Sequence, residues 1–269
     1  MKRQALSIVP LLCAILLTAL PLRADQSMIE ARILTGWRQD DGRHVAALHL
    51  TMLDGWKTYW RAPGDAGVPP RFDWRGSDNL AAVRVTWPTP RTIDQGGIRT
   101  IGYSDAVTLP LTLTPAEAGK PITLSGTVEL GVCKDICVPM TLNLSQELPF
   151  SETRRDPRIV SAIASRPFSA QEGGVAAVRC TMSAMQGGLR LRAEVDLPRI
   201  GQNEIAVIET ANPAIWVAQA ETHRSQGRLV AETELHHVEG HAFALDRSGL
   251  RITVIGDDKA VDIRGCPAG

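Results

Sequence analysis

The period of its apolar residues constrains this chain more than any other feature. Short runs alternate apolar and polar side chains: Met28 to Leu34, His44 to Leu50, Ala82 to Trp87, Val107 to Leu113 and Ile122 to Leu130. Each is bounded by Gly, Pro, Asp or Asn. A period of two sends successive side chains to opposite faces, which is the signature of half-buried β-strands. Helical periodicity over about 12 residues is nearly absent, and the best helix candidate, Pro157 to Ala164, is a short connector. A polar, charged stretch, Ser151 to Pro157, follows the first set of strands. A second series then runs through Val175–Cys180, Leu189–Val195, Glu204–Glu209, Arg228–Leu235, Leu250–Ile255 and Val261–Ile263. The expectation is an all-β protein of two β-sandwich domains, residues 25–150 and 151–269.

The first residues stand apart. Met1-Lys2-Arg3 is a basic head, Ala5 to Leu22 is almost wholly apolar, and Ala24 precedes the polar Asp25-Gln26-Ser27. That is the layout of a cleaved signal peptide over residues 1–24. The rival is a membrane anchor, because a run of about 18 apolar residues can span a bilayer. Pro10 and Pro21 interrupt the run, and the small-residue, polar exit favours cleavage. Cys13 lacks the small residues that precede a lipoprotein cysteine, having Leu11-Leu12 before it, so it is expected to leave with the signal. The mature protein is then periplasmic, without a membrane span. Lys plus Arg and Asp plus Glu both number 29, so no excess charge recruits nucleic acid or an anionic membrane surface.

Export brings an oxidising compartment, and removing Cys13 leaves four cysteines. The natural pairing is Cys133 with Cys137 and Cys180 with Cys266. The second pair closes most of the second strand series, and a loop of roughly 87 residues contributes about 4.6 kcal/mol on chain-entropy grounds. It reads as a structural staple. The first pair does not. Leu130 to Met140 reads as strand, three-residue turn and strand, which sets Cys133 opposite Cys137. Facing side chains have Cβ atoms about 4.5–5.5 Å apart, slightly wider than a disulfide prefers. So small a loop contributes only ~2 kcal/mol. Lys134 favours a thiolate at Cys133 and Asp135 partly opposes it. Three readings stay open: a redox-active pair, an incidental crosslink, and a soft-metal site for copper(I) or zinc.

Several motifs point to one family. Gly55-Trp56-Lys57-Thr58-Tyr59-Trp60-Arg61, Gly102-Tyr103-Ser104-Asp105 followed by Thr108-Leu109-Pro110, and the Gly131-Val132-Cys133…Cys137-Val138-Pro139 hairpin stand in the same order as in that family. Over roughly residues 28–150 the chain resembles the amino-terminal periplasmic domain of the thiol:disulfide interchange protein DsbD family. It is closer still to the periplasmic part of the suppressor of copper sensitivity protein B branch, whose companion immunoglobulin-like domain the second half resembles more weakly. The resemblance implies immunoglobulin-like sandwiches and a redox role for Cys133 and Cys137. It implies as partners a membrane-embedded disulfide reductase and periplasmic thioredoxin-like proteins, and no cofactor. The family closes a cap loop over its cysteines, which aligns with Asp94-Gln95-Gly96-Gly97. Glycines replace the usual aromatic shield there, leaving Tyr59, Trp60 and Tyr103 as candidate shields, with core packing as their other reading. The family's membrane conduit and terminal thioredoxin-like domain have no counterpart before Gly269, so the chain is expected to borrow a partner.

His236, His237 and His241, with Glu234 and Glu239 nearby, carry metal-ligating side chains, but the segment reads as a solvated turn, and no metal is expected. Arg61 to Pro70 is a turn-rich loop, either structural or a partner-docking surface. Phosphate-binding glycine loops, a Gly-x-Ser-x-Gly elbow and a Cys-x-x-Cys motif are all missing. The function expected is thiol–disulfide exchange. The alternative is a non-enzymatic periplasmic module that binds a partner or copper, with Cys133–Cys137 as a passive crosslink or ligand pair.

Overall fold

A computed structural model describes residues 27–267. The expected signal peptide and Cys13 lie outside the described residues. The first half contributes β1 (Ile29–Arg38), β2 (His44–Met52), β3 (Lys57–Tyr59), β4 (Arg71–Asp73), β5 (Leu80–Val85), β6 (Arg91–Gln95), β7 (Ile98–Ser104), β8 (Ala106–Pro115), β9 (Ile122–Cys133) and β10 (Cys137–Leu148). One sheet runs in the order β1-β2-β8-β5 and the facing sheet in the order β10-β9-β3-β7-β6, with β4 also on β9. Alternate residues of the two sheets meet in one core, where Leu48, Leu111, Leu113, Leu124, Val128 and Val132 are fully buried. This is the sandwich that the period-two runs demand.

Strand β2 departs from simple alternation, with five consecutive buried residues at its start. The cause is a third layer. Helix α1 (Pro157–Ala164) packs Ile159 against Leu34, Trp37, Val45 and Ala47 on the outer face of β1 and β2. Asp156 caps this helix by accepting the Arg158 N–H, and Pro157 occupies the first turn, where a missing N–H costs nothing. Opposite it, β1 carries a bulge between Leu34 and Trp37. Gly36 sits there at φ 65°, and a Cβ would lie 1.7 Å from the Val45 carbonyl oxygen, so only glycine fits.

The second half forms β11 (Phe168–Ser169), β12 (Ala177–Met185), β13 (Gly188–Asp196), β14 (Ile205–Glu209), β15 (Ile215–Val217), β16 (Glu221–Ser225), β17 (Arg228–His237), β18 (Arg251–Ile255) and β19 (Ala260–Arg264). Its sheets run β11-β19-β18-β14 and β12-β13-β17-β15, with β16 also on β17. Leu191, Leu229, Leu235, Ile252, Val254 and Val261 fill the space between them. Cys180 on β12 is disulfide-bonded to Cys266, which follows β19, so the bond ties one sheet to the other inside the core. The protein is therefore all-β, with two immunoglobulin-like sandwiches.

The sandwiches abut. Ile205, Ile255 and Ala260 of the second join the core of the first. Arg61 stacks on Trp60 at 3.8 Å and crosses to Glu209, 2.9 Å away, and to the Thr253 hydroxyl at 3.1 Å. Asp65 accepts the Gln219 N–H at 3.1 Å. The first part of the Arg61–Pro70 loop is thus engaged in the junction.

Two stability predictions follow from this packing. Replacing Cys180 and Cys266 together by alanine is expected to lower the unfolding free energy by about 2–5 kcal/mol, read from urea melts, whereas the same change at Cys133 and Cys137 costs less. His44 is 2 % exposed and its Nε2 lies 2.6 Å from the Thr35 carbonyl oxygen. Burial pushes its pKa below the ordinary value, outweighing that hydrogen bond. The folded state therefore resists a proton that the unfolded chain accepts near pH 6.5, so this contribution is full above about pH 6.5 and is lost as the pH falls through the folded pKa. Urea midpoints should drop between about pH 7.5 and pH 5.5, and His44→Gln should flatten that drop.

Candidate functional site

The site is built around β9, a strand paired on both sides. On one side it forms an unbroken antiparallel ladder with β10, from Ile122 facing Leu148 to Cys133 facing Cys137. The last pair has Cα atoms 4.1 Å apart and is disulfide-bonded. Lys134, Asp135 and Ile136 make the connecting loop, closed by the Lys134 N–H donating to the Ile136 carbonyl at 3.0 Å. On its other side β9 pairs with β3, so that Lys57 faces Cys133 and Thr58 faces Val132.

Period two then decides which side chains share a face with the cysteines. Facing residues point the same way, so Lys57 lies on the Cys133 face and Tyr59, two residues on, joins it. The Tyr59 hydroxyl lies 3.0 Å from Cys133 Sγ and 3.3 Å from Cys137 Sγ. Disulfide sulfurs carry no proton, so this hydroxyl is the donor. Burial pushes its pKa up, which keeps it protonated. Gly131 makes room for the ring, since a Cβ there would come within 3.1 Å of Tyr59 Cε2. Trp60 and Tyr103 point the other way, into the core: Trp60 is fully buried, and the Tyr103 hydroxyl donates to the Pro88 carbonyl at 2.8 Å. Of the three aromatics proposed as shields, Tyr59 is the one that touches the sulfurs.

The pair is asymmetric. Cys133 is 1 % exposed, whereas Cys137 is exposed to solvent. Lys57, at 7 % exposure, donates from Nζ to the Thr100 hydroxyl at 3.2 Å, and burial pushes its pKa down. It stands facing the buried sulfur-bearing residue, a position the sequence reading did not single out. Lys134, which it did, turns its ammonium to the Asp54 carbonyl at 3.2 Å.

The segment Asp94-Gln95-Gly96-Gly97 is the tip of the β6–β7 hairpin. Gly96 and Gly97 both have positive φ, 59° and 80°, as a tight two-residue hairpin turn requires. Gln95 reaches the cysteine hairpin, donating from Nε2 to the Lys134 carbonyl at 2.5 Å, while Asp94 pairs with Arg99 at 3.5 Å. The glycines thus serve the turn, and the contact with the cysteine loop is made by Gln95. Ile136, Val68 and Ile98 are exposed apolar side chains on the cysteine loop, the Arg61–Pro70 loop and the cap hairpin. His236 and His237, expected in a turn, close β17 instead, and His236 tilts over Trp216 with ring centroids 5.9 Å apart.

Chemically, an exposed cysteine bonded to a buried one, with a hydroxyl donor 3.0 Å from the buried sulfur, suits cleavage in which the buried sulfur departs as a thiolate. The donor favours the charged form, so it lowers the thiol pKa, and its removal must raise it. A hydrogen bond to a charged group is worth about 1.5–3 kcal/mol, or roughly one to two pKa units. In a Cys137→Ser background, Tyr59→Phe is therefore expected to raise the Cys133 pKa by that amount, read from the pH dependence of thiolate ultraviolet absorbance. An unchanged pKa would show the hydroxyl to be a bystander.

No helix among the described residues is long and apolar enough to cross a membrane. No curated protein matches the chain. Among solved structures, the N-terminal periplasmic domain of ScsB from Proteus mirabilis is similar, at a TM-score of 0.64 and 20% identity, covering 90% of this chain and 92% of that one. That likeness speaks to the fold across both sandwiches. Residues 30–149, from β1 to the end of the cysteine-bearing ladder, match the family described as "Thiol:disulfide interchange protein DsbD, N-terminal". The family match thus covers the first sandwich, including the Cys133–Cys137 hairpin.

Proposed function

We propose that this protein is a periplasmic carrier of reducing equivalents that works by thiol–disulfide exchange at Cys133 and Cys137. In this reading residues 1–24 are a removed signal peptide, residues 25–150 the redox domain and residues 151–269 its companion. The single observation that carries the reading is the asymmetric pair: Cys137 is exposed while Cys133 is buried beneath the Tyr59 hydroxyl.

The exchange runs in two steps. A partner thiolate attacks Cys137 Sγ, the Cys133–Cys137 bond breaks, and Cys133 leaves as a thiolate. Tyr59 donates to that departing sulfur and steadies the charge it gains. The partner's second thiolate then attacks its own sulfur of the mixed disulfide and releases Cys137, so the partner is oxidised and this chain is reduced. Delivery is the same sequence reversed, with Cys137 as the attacking thiolate on an oxidised acceptor. A membrane-embedded reductase fits the first role and thioredoxin-like periplasmic proteins the second. Reduction of the disulfide to a dithiol takes up two electrons and two protons, both supplied by the partner dithiol, and needs no resident cofactor.

Single-cysteine variants test the assignment. Cys133→Ser, which leaves Cys137 free, is expected to form a mixed disulfide with a thioredoxin-like protein that lacks its resolving cysteine and whose remaining cysteine is activated as an aromatic mixed disulfide, the aromatic thiolate departing as Cys137 attacks. It should also react with an aromatic disulfide reagent on the order of tenfold faster than Cys137→Ser, because accessibility governs thiol reactivity. If neither variant reacts, the bond is a passive crosslink. If Cys137→Ser is the faster of the two, the attacked sulfur has been assigned the wrong way round.

A further inference from the structure

We propose that the turn leaving β17 is a binding site for a divalent cation of zinc type, held by His237, Glu239 and His241. The site lies on the second sandwich and has no part in the exchange reaction.

The argument begins with backbone geometry. In an extended strand, residues four apart are separated by about 13 Å, so a His-x-Glu-x-His spacing scatters its ligands. Here the strand ends at His237 and the chain turns back. The Gly240 N–H donates to the His237 carbonyl at 2.8 Å, and Gly240 takes φ 74°, a conformation that glycine tolerates best. The Val238 N–H donates to the Ala214 carbonyl at 2.8 Å, anchoring the turn to the chain ahead of β15. As a result His241 folds back over His237, and the two rings stack with centroids 4.9 Å apart.

Convergence of donors is the second point. One ligand atom from each of His237, Glu239 and His241 can be chosen so that all three lie within 4.8 Å of one another. His241 Nδ1 is 3.6 Å from Glu239 Oε2. A tetrahedral zinc site with bonds of about 2.0–2.1 Å needs donors roughly 3.4 Å apart, a contraction that rotation of the exposed Glu239 and His241 side chains supplies. The Glu239 N–H donates to His237 Nδ1 at 3.2 Å, so that lone pair faces the turn, where a cation would take it over. Among the described residues no lysine or arginine pairs with Glu239, so its charge is not already neutralised. His236 and Glu234 stand apart: the His236 Nδ1–H donates to the Gly187 carbonyl at 3.1 Å, and Glu234 accepts from Arg190 at 3.0 Å.

The donor set names the class of cation. Two imidazoles and a carboxylate match a three-ligand zinc site that leaves its fourth position to water. Calcium and magnesium favour oxygen-only shells, and copper(I) favours sulfur.

Isothermal titration of tag-free, fully oxidised protein with zinc(II) tests the proposal, because both disulfides then withhold their sulfurs. One equivalent is expected to bind. His241→Ala, at an exposed position that leaves the fold intact, should weaken binding by more than about tenfold, the low end of what losing even an outer partner costs a metal site. His237→Ala should do the same, and calcium should not compete. Absence of one-equivalent binding, unchanged affinity in the double His237→Ala/His241→Ala variant, or equal competition by calcium would each overturn it.

Discussion

The double pairing of β9 is the constraint on which the rest of the site depends. Its ladder with β10 brings Cys133 and Cys137 face to face, and its ladder with β3 brings Lys57 and Tyr59 onto the same face. Both registers must hold at once. A slip of one residue in β3 would turn Tyr59 into the core and present Trp60 or Thr58 to the sulfurs, because successive side chains alternate between faces. Gly131 and Gly102 keep that arrangement compact: a Cβ at the first would meet the Tyr59 ring, and one at the second would fall 2.2 Å from the Thr58 carbonyl oxygen.

The two disulfides illustrate how the same bond serves different ends in different surroundings. Cys180 and Cys266 are each 1 % exposed and join opposite sheets across the packed interior of the second sandwich. Cys133 and Cys137 join neighbouring strands that are already held by a continuous ladder, at the end of a hairpin with an exposed loop. The first bond constrains a large part of the chain. The second constrains almost nothing that backbone pairing has not already fixed. The junction at Arg61 belongs with this rigidity, since its guanidinium ties the loop that follows β3 to Glu209 and Thr253.

Much of this was legible in the sequence because it rests on local pattern. The long alternating strands, the Asp156-Pro157 start of α1 and the facing of Cys133 and Cys137 each follow from neighbours in the chain. What could not be read depends on pairing between distant segments. Strand β3 is three residues long, too short to show a period, so nothing local separates Tyr59 from Trp60 or marks Lys57 as the residue facing Cys133. The role of Gln95 was hidden beside two glycines whose function is to make a turn. His236 and His237 were read as a turn because they are polar, whereas strand pairing with Trp216 and Ile215 holds them in β17.

The account claims that the Cys133–Cys137 bond can be opened under periplasmic conditions while the rest of the fold stays closed. Equilibration in graded glutathione buffers, followed by alkylation and mass spectrometry of each cysteine, measures this directly. The prediction is that Cys133 and Cys137 are alkylated together with a midpoint between about −180 and −270 mV, with Cys180 and Cys266 still oxidised. A midpoint below about −300 mV, or simultaneous opening of both disulfides, would contradict it.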